Sequence, residues 1–339
     1  MTKILSVLIP TYNMEKYLRH CLDSLIVTND LMDQLEVLVI NDGSKDKSSE
    51  IGHEYEANYP QTFKVIDKSN GNYGSCVNVG LQQASGKYIK VLDADDSFDN
   101  KAFFSLLTIL KEVDVDLVIT DFVCVNEQGN VTQSEEFALP VGQIMKYEEL
   151  SRYSSFLSLP MHAVTYKTDN LRDIGYKQTE GISYTDQEWM FAPFTTVKTA
   201  VYHKFPVYRY LLGREGQTMD PKVLARNISH TKQGIASMIK FYNTFEFEDV
   251  YSEYLSQRLL NRIRYIYYTY LTKGNDMDLN ELICFDDELK NANKELYDKA
   301  EHFYVGKIFK YKFVKKWRKS LYKTPPFSVS IKLLLSRWF

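Results

Sequence analysis

"KYIKVLDADDSF", residues 87–98, decides how this chain is read: an apolar, β-branched run (Tyr88, Ile89, Val91, Leu92) ends in three carboxylates, Asp93, Asp95 and Asp96. The runs "ILSVLIP" (4–10), "LEVLVIND" (35–42), "FKVID" (63–67) and "VDLVITDFVCV" (115–125) share its character. None alternates apolar with polar as a half-exposed strand does, so all five read as strands buried on both faces. Between them lie patterns with a 3.6-residue period: Tyr17, Leu18, Cys21, Leu22 and Leu25, then Phe103, Leu106, Leu107 and Leu110, with Asn100 as cap of the second. This alternation predicts an α/β fold, a doubly wound and mainly parallel sheet whose ligands bind at the carboxyl ends of the strands.

Three polar clusters follow strand ends and therefore converge on one crevice: "PTYN" (10–13), "NDGS" (41–44) and "LDADD" (92–96). Asp93 and Asp95 offer hard oxygen ligands suited to Mg²⁺ or Mn²⁺, which bind nucleotides through one or two carboxylates plus phosphate oxygens. A solvated turn is the competing reading, with Asp96 or Ser97 capping the helix near Asn100. The glycines of "SNGNYGSCVNVG" (69–80) match neither GxGxxG nor a P-loop; they read as a tight turn before a helix, where Gly74 and Ser75 could present backbone N–H groups.

Composition sets the class. At 339 residues, 44% hydrophobic and 25% charged, the chain can bury a substantial core in water. Cys21, Cys76, Cys124 and Cys284 lie far apart with no metal-ligand spacing, which suits a reducing compartment. With neither a signal-peptide pattern nor 18 consecutive apolar residues, a cytoplasmic protein is expected. From His302 onward there are ten Lys/Arg and no Asp/Glu, leaving 31 basic against 44 acidic residues, or −13, for residues 1–301. That acidic body would repel nucleic acid.

Taken together, "LSVLIPTYNMEKYLRHCLDSL" (5–25), "EVLVINDGSKDKS" (36–48), "NGNYGSCVNVGLQQASGKYIKVLDADD" (70–96) and "TDQEW" (185–189) resemble family 2 of the inverting glycosyltransferases, which have the GT-A fold, in the family's order. The resemblance covers roughly residues 4–215 and implies a nucleotide-sugar donor, UDP-linked by preference, a Mn²⁺ or Mg²⁺ cofactor and a glycan or lipid-linked acceptor. It places Pro10, Tyr12 and Asn13 around the nucleobase and Asp42 on base or ribose. Asp93 and Ala94 would meet ribose and donor sugar, Asp95 would hold the metal, and Asp186 would be the catalytic base. Asp186 also reads as the first acid of a helix capped by Thr185. Cys76, Val77 and Asn78 stand where many members have Ala-Arg-Asn, so a cation is missing there; Asn70 and Gly71 can still shape the crevice. In "YRYLLGREGQT" (208–218), Arg214 is the candidate cation for the diphosphate and Arg209 the second. His162 could face the acceptor or be structural, and Trp189 could stack on a sugar or fill core. A sugar-1-phosphate nucleotidyltransferase and a non-catalytic sugar-binding protein of the same fold are the alternatives.

On this reading residues 1–125 bind the nucleotide-sugar, 126–222 bind the acceptor, and 223–339 are helical, with Leu259, Leu260, Ile263, Ile266 and Tyr267 on one face of a long helix. The basic tail repeats Phe309, Phe313, Trp317 and Leu321 every fourth residue beside Lys312, Lys315, Lys316 and Lys319, and a second segment carries Ile331, Leu334, Leu335 and Trp338. Such a helix suits the surface of an anionic membrane, and packing on the catalytic domain or on a second subunit is the other reading.

Overall fold

The structure is a computed structural model that describes residues 3–27, 29–214, 217, 223, 226–272, 277–305 and 310–320. The chain forms two compact units, Met1–Thr218 and Met219–Phe339.

The first unit is built on one ten-stranded sheet. Strands β1 (Leu5–Thr11), β2 (Leu35–Asn41), β3 (Phe63–Asp67) and β4 (Tyr88–Val91) are parallel in the order β3-β2-β1-β4. Next comes β9 (Val164–Lys167), antiparallel to both β4 and β6 (Leu117–Val125), and then β10 (Thr199–Leu211), parallel to β6. The short β5 (Ser97–Phe98) and β8 (Ile144–Lys146) pair antiparallel with β10, and β7 (Val131–Glu135) pairs with β6. The sheet is thus mixed and mostly parallel. Every residue of β4 and β6 is buried, as continuous apolar runs require of strands covered on both faces.

Helices α1 (Leu18–Asp23), α2 (Ser48–Asn58) and α4 (Asn100–Glu112) share a core with β1, β2 and β4; α3 (Asn72–Gln83) also packs on β1 and β2. The expected stripes face inward, with Leu18, Cys21, Leu22, Leu25, Phe103, Leu106 and Leu110 fully buried. The cap of α4 is Asp99, not Asn100: Asp99 is extended and its carboxylate accepts the Ala102 N–H at 3.0 Å.

In the second unit, α6 (Ile228–Thr244), α7 (Ser252–Thr272), α8 (Leu279–Ala292), α9 (Lys294–Ala300) and α10 (Phe313–Lys319) surround their own core. Leu259, Ile263, Ile266 and Tyr267 of the expected face of α7 are buried, and Leu260 is half-exposed. The membrane-facing reading of α10 is corrected here. Phe313 and Trp317 are fully buried, their rings 6.4 Å from Tyr268 and 6.0 Å from Tyr267, so this stripe is spent on the unit's own core. Arg318 is buried beside them, paired with the fully buried Asp286 at 2.7 Å, while Lys312, Lys316 and Lys319 face water. Phe309, Leu321 and the second tail segment lie outside the described residues. Among the described residues no helix is long and apolar enough to cross a membrane.

Candidate active site

The carboxyl ends of β1, β2 and β4 meet as the strand order requires. Pro10, Thr11, Tyr12, Met14, Asp42, Asn70, Asn72, Tyr73 and Cys76 line a cleft of about 280 Å³. Tyr12 is 45% exposed and presents its ring there. Asn13 does not line the cleft: at φ +54° its side-chain oxygen accepts the Lys45 N–H (2.7 Å) and its own N–H donates to the Ser44 hydroxyl (3.0 Å). It ties the β1 end to the β2 end.

Asp42 organises the cleft wall. One carboxylate oxygen accepts from Lys68 Nζ (2.6 Å) and the Gly71 N–H (2.9 Å), the other from the Asn72 N–H (2.8 Å). Asn70 donates to the Asp42 carbonyl at 3.0 Å, and Gly71 acts through its backbone without lining the cleft. Gly74 serves packing, not N–H presentation, because a Cβ there would meet the Thr179 carbonyl oxygen at 2.2 Å. Val77, where a cation was missed, is fully buried.

Asn72 at φ +67° opens α3 and sends Tyr73 into the carboxylate cluster. The Tyr73 hydroxyl donates to Asp93 at 2.8 Å. Burial, then the charge of Asp95, pushes the Asp93 carboxyl up to about 7, against the pull of Tyr73; the charge of Asp186 adds to the rise. Ala94 between the acids is buried. Asp96 is structural: it accepts from the Tyr208 hydroxyl (2.6 Å) and the Leu211 N–H (2.7 Å), locking β10 onto the end of β4 instead of capping a helix. Burial holds it well above the usual carboxylate range.

Asp95 reaches toward solvent and pairs with Arg214 at 2.5 Å, the two side chains 11% and 13% exposed. The guanidinium also lies 5.5 Å from the centre of the Tyr17 ring. Asp186 opens a four-residue turn of helix, α5 (Asp186–Trp189), and accepts from the Gln187 side chain at 2.6 Å. The Thr185 cap does not form, since Thr185 is itself helical and its hydroxyl makes no cap hydrogen bond. Glu188 is taken by Thr179, accepting from its N–H and hydroxyl, both at 2.7 Å.

One expectation fails on packing. Trp189 is 1% exposed, edge-on to Tyr166 and Tyr176, so it fills core and stacks on no sugar. His162 is half-buried, its ring packed against Tyr210 (4.5 Å), Tyr208 (4.6 Å) and Phe122 (5.1 Å), and desolvation holds its pKa down at about 3, so it stays neutral within an aromatic cluster. Tyr73, Tyr208 and Lys90 were not foreseen. Lys90 is fully buried, donates to the His162 and Val164 carbonyls at 2.8 and 3.0 Å, and is lowered to about 7 by desolvation. Only Tyr208 had a usable signal: with Tyr210 it alternates in "YRYLL", as residues on one face of a strand do.

Among the described residues no three His, Cys, Asp or Glu side chains form a self-sufficient metal site. The oxygen chemistry nevertheless fits a hard dication held by one carboxylate plus substrate phosphates, because Asp95 borders open space.

Residues 6–171 match the family described as Glycosyl transferase family 2. The chain carries a family 2 glycosyltransferase domain. It is 35% identical over 137 residues to the glycosyltransferase EpsH of Bacillus subtilis (strain 168), covering 40% of this chain and 39% of EpsH. To the minor teichoic acid biosynthesis protein GgaB of the same strain it is 36% identical over 107 residues, covering 32% of this chain and 12% of GgaB. These curated relatives are therefore matched over well under two thirds of their length. The structure of S. aureus TarS 1-349 in complex with UDP-GlcNAc superposes with a TM-score of 0.67 at 20% identity, covering 97% of this chain and 89% of that one. The fold is GT-A.

Proposed function

We propose that the family 2 domain moves a sugar from a nucleoside diphosphate-sugar, with UDP as the nucleotide, onto a hydroxyl of a growing surface glycan or lipid-linked acceptor, inverting the anomeric centre. The observation that carries this is the convergence at the end of β4 of Asp93, Asp95 and Asp186 beside a cleft lined by Tyr12, Asp42 and Asn70. TarS is known with UDP-GlcNAc and with UDP, a Pyrobaculum calidifontis mannosyltransferase with GDP-Man and Mn²⁺, and GgaB is named for teichoic acid biosynthesis; all support the reading by likeness.

The nucleoside would lie against Tyr12 in the cleft held open by Asp42, with donor sugar beside Asp93 and Tyr73. Asp95 would hold Mg²⁺ or Mn²⁺, which when bound neutralises the departing diphosphate. Arg214, now on Asp95, would turn to the diphosphate oxygens. Asp186 would take the proton of the acceptor hydroxyl as its oxygen bonds to the anomeric carbon and the bond to the diphosphate breaks. One base suffices because the leaving group needs no proton, unlike a glycoside hydrolase with its two carboxyl groups.

A thermal-shift screen of nucleotide-sugars with and without Mn²⁺ tests the donor: stabilisation by a UDP-sugar, abolished by EDTA, is expected. Asp186→Asn should lower turnover about 10²- to 10⁴-fold while leaving UDP affinity intact. Equal loss of binding and turnover would refute Asp186 as base.

A further inference from the structure

A second cleft, of about 390 Å³, shares Asp95 with the donor site and none of the residues that line the nucleoside cleft. Its walls carry Lys16 just before α1, His20 within α1, and Arg209 on β10. Arg209 donates to the Gly129 carbonyl at 2.9 Å, which fixes one edge of its guanidinium. Among the described residues none of the three pairs with a carboxylate, unlike Lys68 and Arg214 of the same unit.

Charge decides what belongs there. The nucleoside cleft is lined by no Lys or Arg. On the donor side Arg214 already pairs with Asp95, and Lys16 and Arg209 stand outside that pair. Against them stand Glu127 and Asp95 of the cleft lining, and Asp95 is already paired with Arg214. Two permanent cations and an imidazole around one concavity, in a body of net negative charge, are a place for an anion brought by the other substrate. An arginine fork beside a lysine point charge suits the several oxygens of a phosphate.

We propose that this cleft binds a phosphate group of the acceptor, so that the enzyme glycosylates phosphate-bearing acceptors and holds the phosphate on Lys16, His20 and Arg209. The inference rests on the glycosyltransferase reading above, deepening it by naming the acceptor class.

The test titrates the full chain with sn-glycerol 3-phosphate, glycerate and glycerol, each with and without UDP and Mn²⁺, by calorimetry or ligand-observed NMR. Glycerol phosphate should bind at least fivefold more tightly than glycerate, with glycerol undetected, and should not be displaced by UDP. Lys16→Glu and His20→Glu, both at exposed positions where folding is not at stake, should each weaken it fivefold or more; Arg209→Lys should retain more affinity than Arg209→Met. Three results overturn the proposal: equal affinity for glycerate, displacement by UDP, which would assign the phosphate to the donor site, or unchanged binding in the charge-reversed variants. A separate UDP titration reports on the donor reading, so its failure and the failure of the acceptor subsite are told apart.

Discussion

At Asp93 the enclosure that shapes the candidate site works against the folded state. Burial and the neighbouring charge of Asp95 raise its pKa from 3.8 to about 7, so above neutrality the fold must hold an ionised carboxylate beside others of the same sign. The unfolded chain releases that proton near pH 4, so the native state binds more protons between the two values and stability falls as pH rises from about 4 to about 7. Asp93→Asn keeps an oxygen for the Tyr73 hydroxyl and removes the charge. It should therefore raise the melting temperature most above pH 7, with the gain shrinking toward pH 4. A pH-independent gain would show that the carboxylate is not titrating as its surroundings dictate. Arg214 offsets the same charge from the outside while it pairs with Asp95.

Among the elements, α10 shows what an amphipathic pattern does and does not say. Phe313 and Trp317 at i and i+4 announce one apolar face, but the pattern is silent on what covers it. The partners, Tyr267, Tyr268 and Asp286, come from α7 and α8, far back in the chain. Trp317→Ala should cost about 3–5 kcal/mol in chemical denaturation through the cavity it opens. Arg318→Met should cost a similar amount for a different reason, since it strands the fully buried Asp286 without its cation. The double change Arg318→Met with Asp286→Leu should recover part of that loss, and no recovery would mean that packing, not charge, sets the cost. The same contrast between local and non-local information explains what could be read in the first unit. β1, β2 and β4 and the polar clusters at their ends are written in contiguous apolar runs, so the crevice was legible. The insertion of β9 between β4 and β6 was not, because a four-residue strand takes its place from pairing with Tyr88 and Ile89 on one side and Leu117 to Ile119 on the other. Asn13 and Tyr73 were misjudged or missed for a related reason: each depends on a left-handed backbone at an asparagine, which decides where the side chain points and leaves no trace in periodicity. Trp189 has the composition of a ligand-stacking residue, and only the aromatic rings packed around it reveal that the position is closed.

Across the whole molecule, the site residues lie in one unit and the basic tail helix in the other, each unit with its own apolar core. Because a ligand stabilises only the cooperative structure that contains its site, UDP with Mn²⁺ at a hundred times its dissociation constant should add about 2.7 kcal/mol to the unit that ends at Thr218. Trp317→Ala should act on the other unit. Hydrogen exchange read peptide by peptide separates the two: nucleotide should slow exchange in β1, β2, β4 and α3, and the tryptophan change should speed exchange in α7, α8 and α10. If the nucleotide protected α7 and α10 as strongly as β1, the donor site would extend beyond the sheet unit. If Trp317→Ala loosened β4 as much as α7, the two cores would unfold as one.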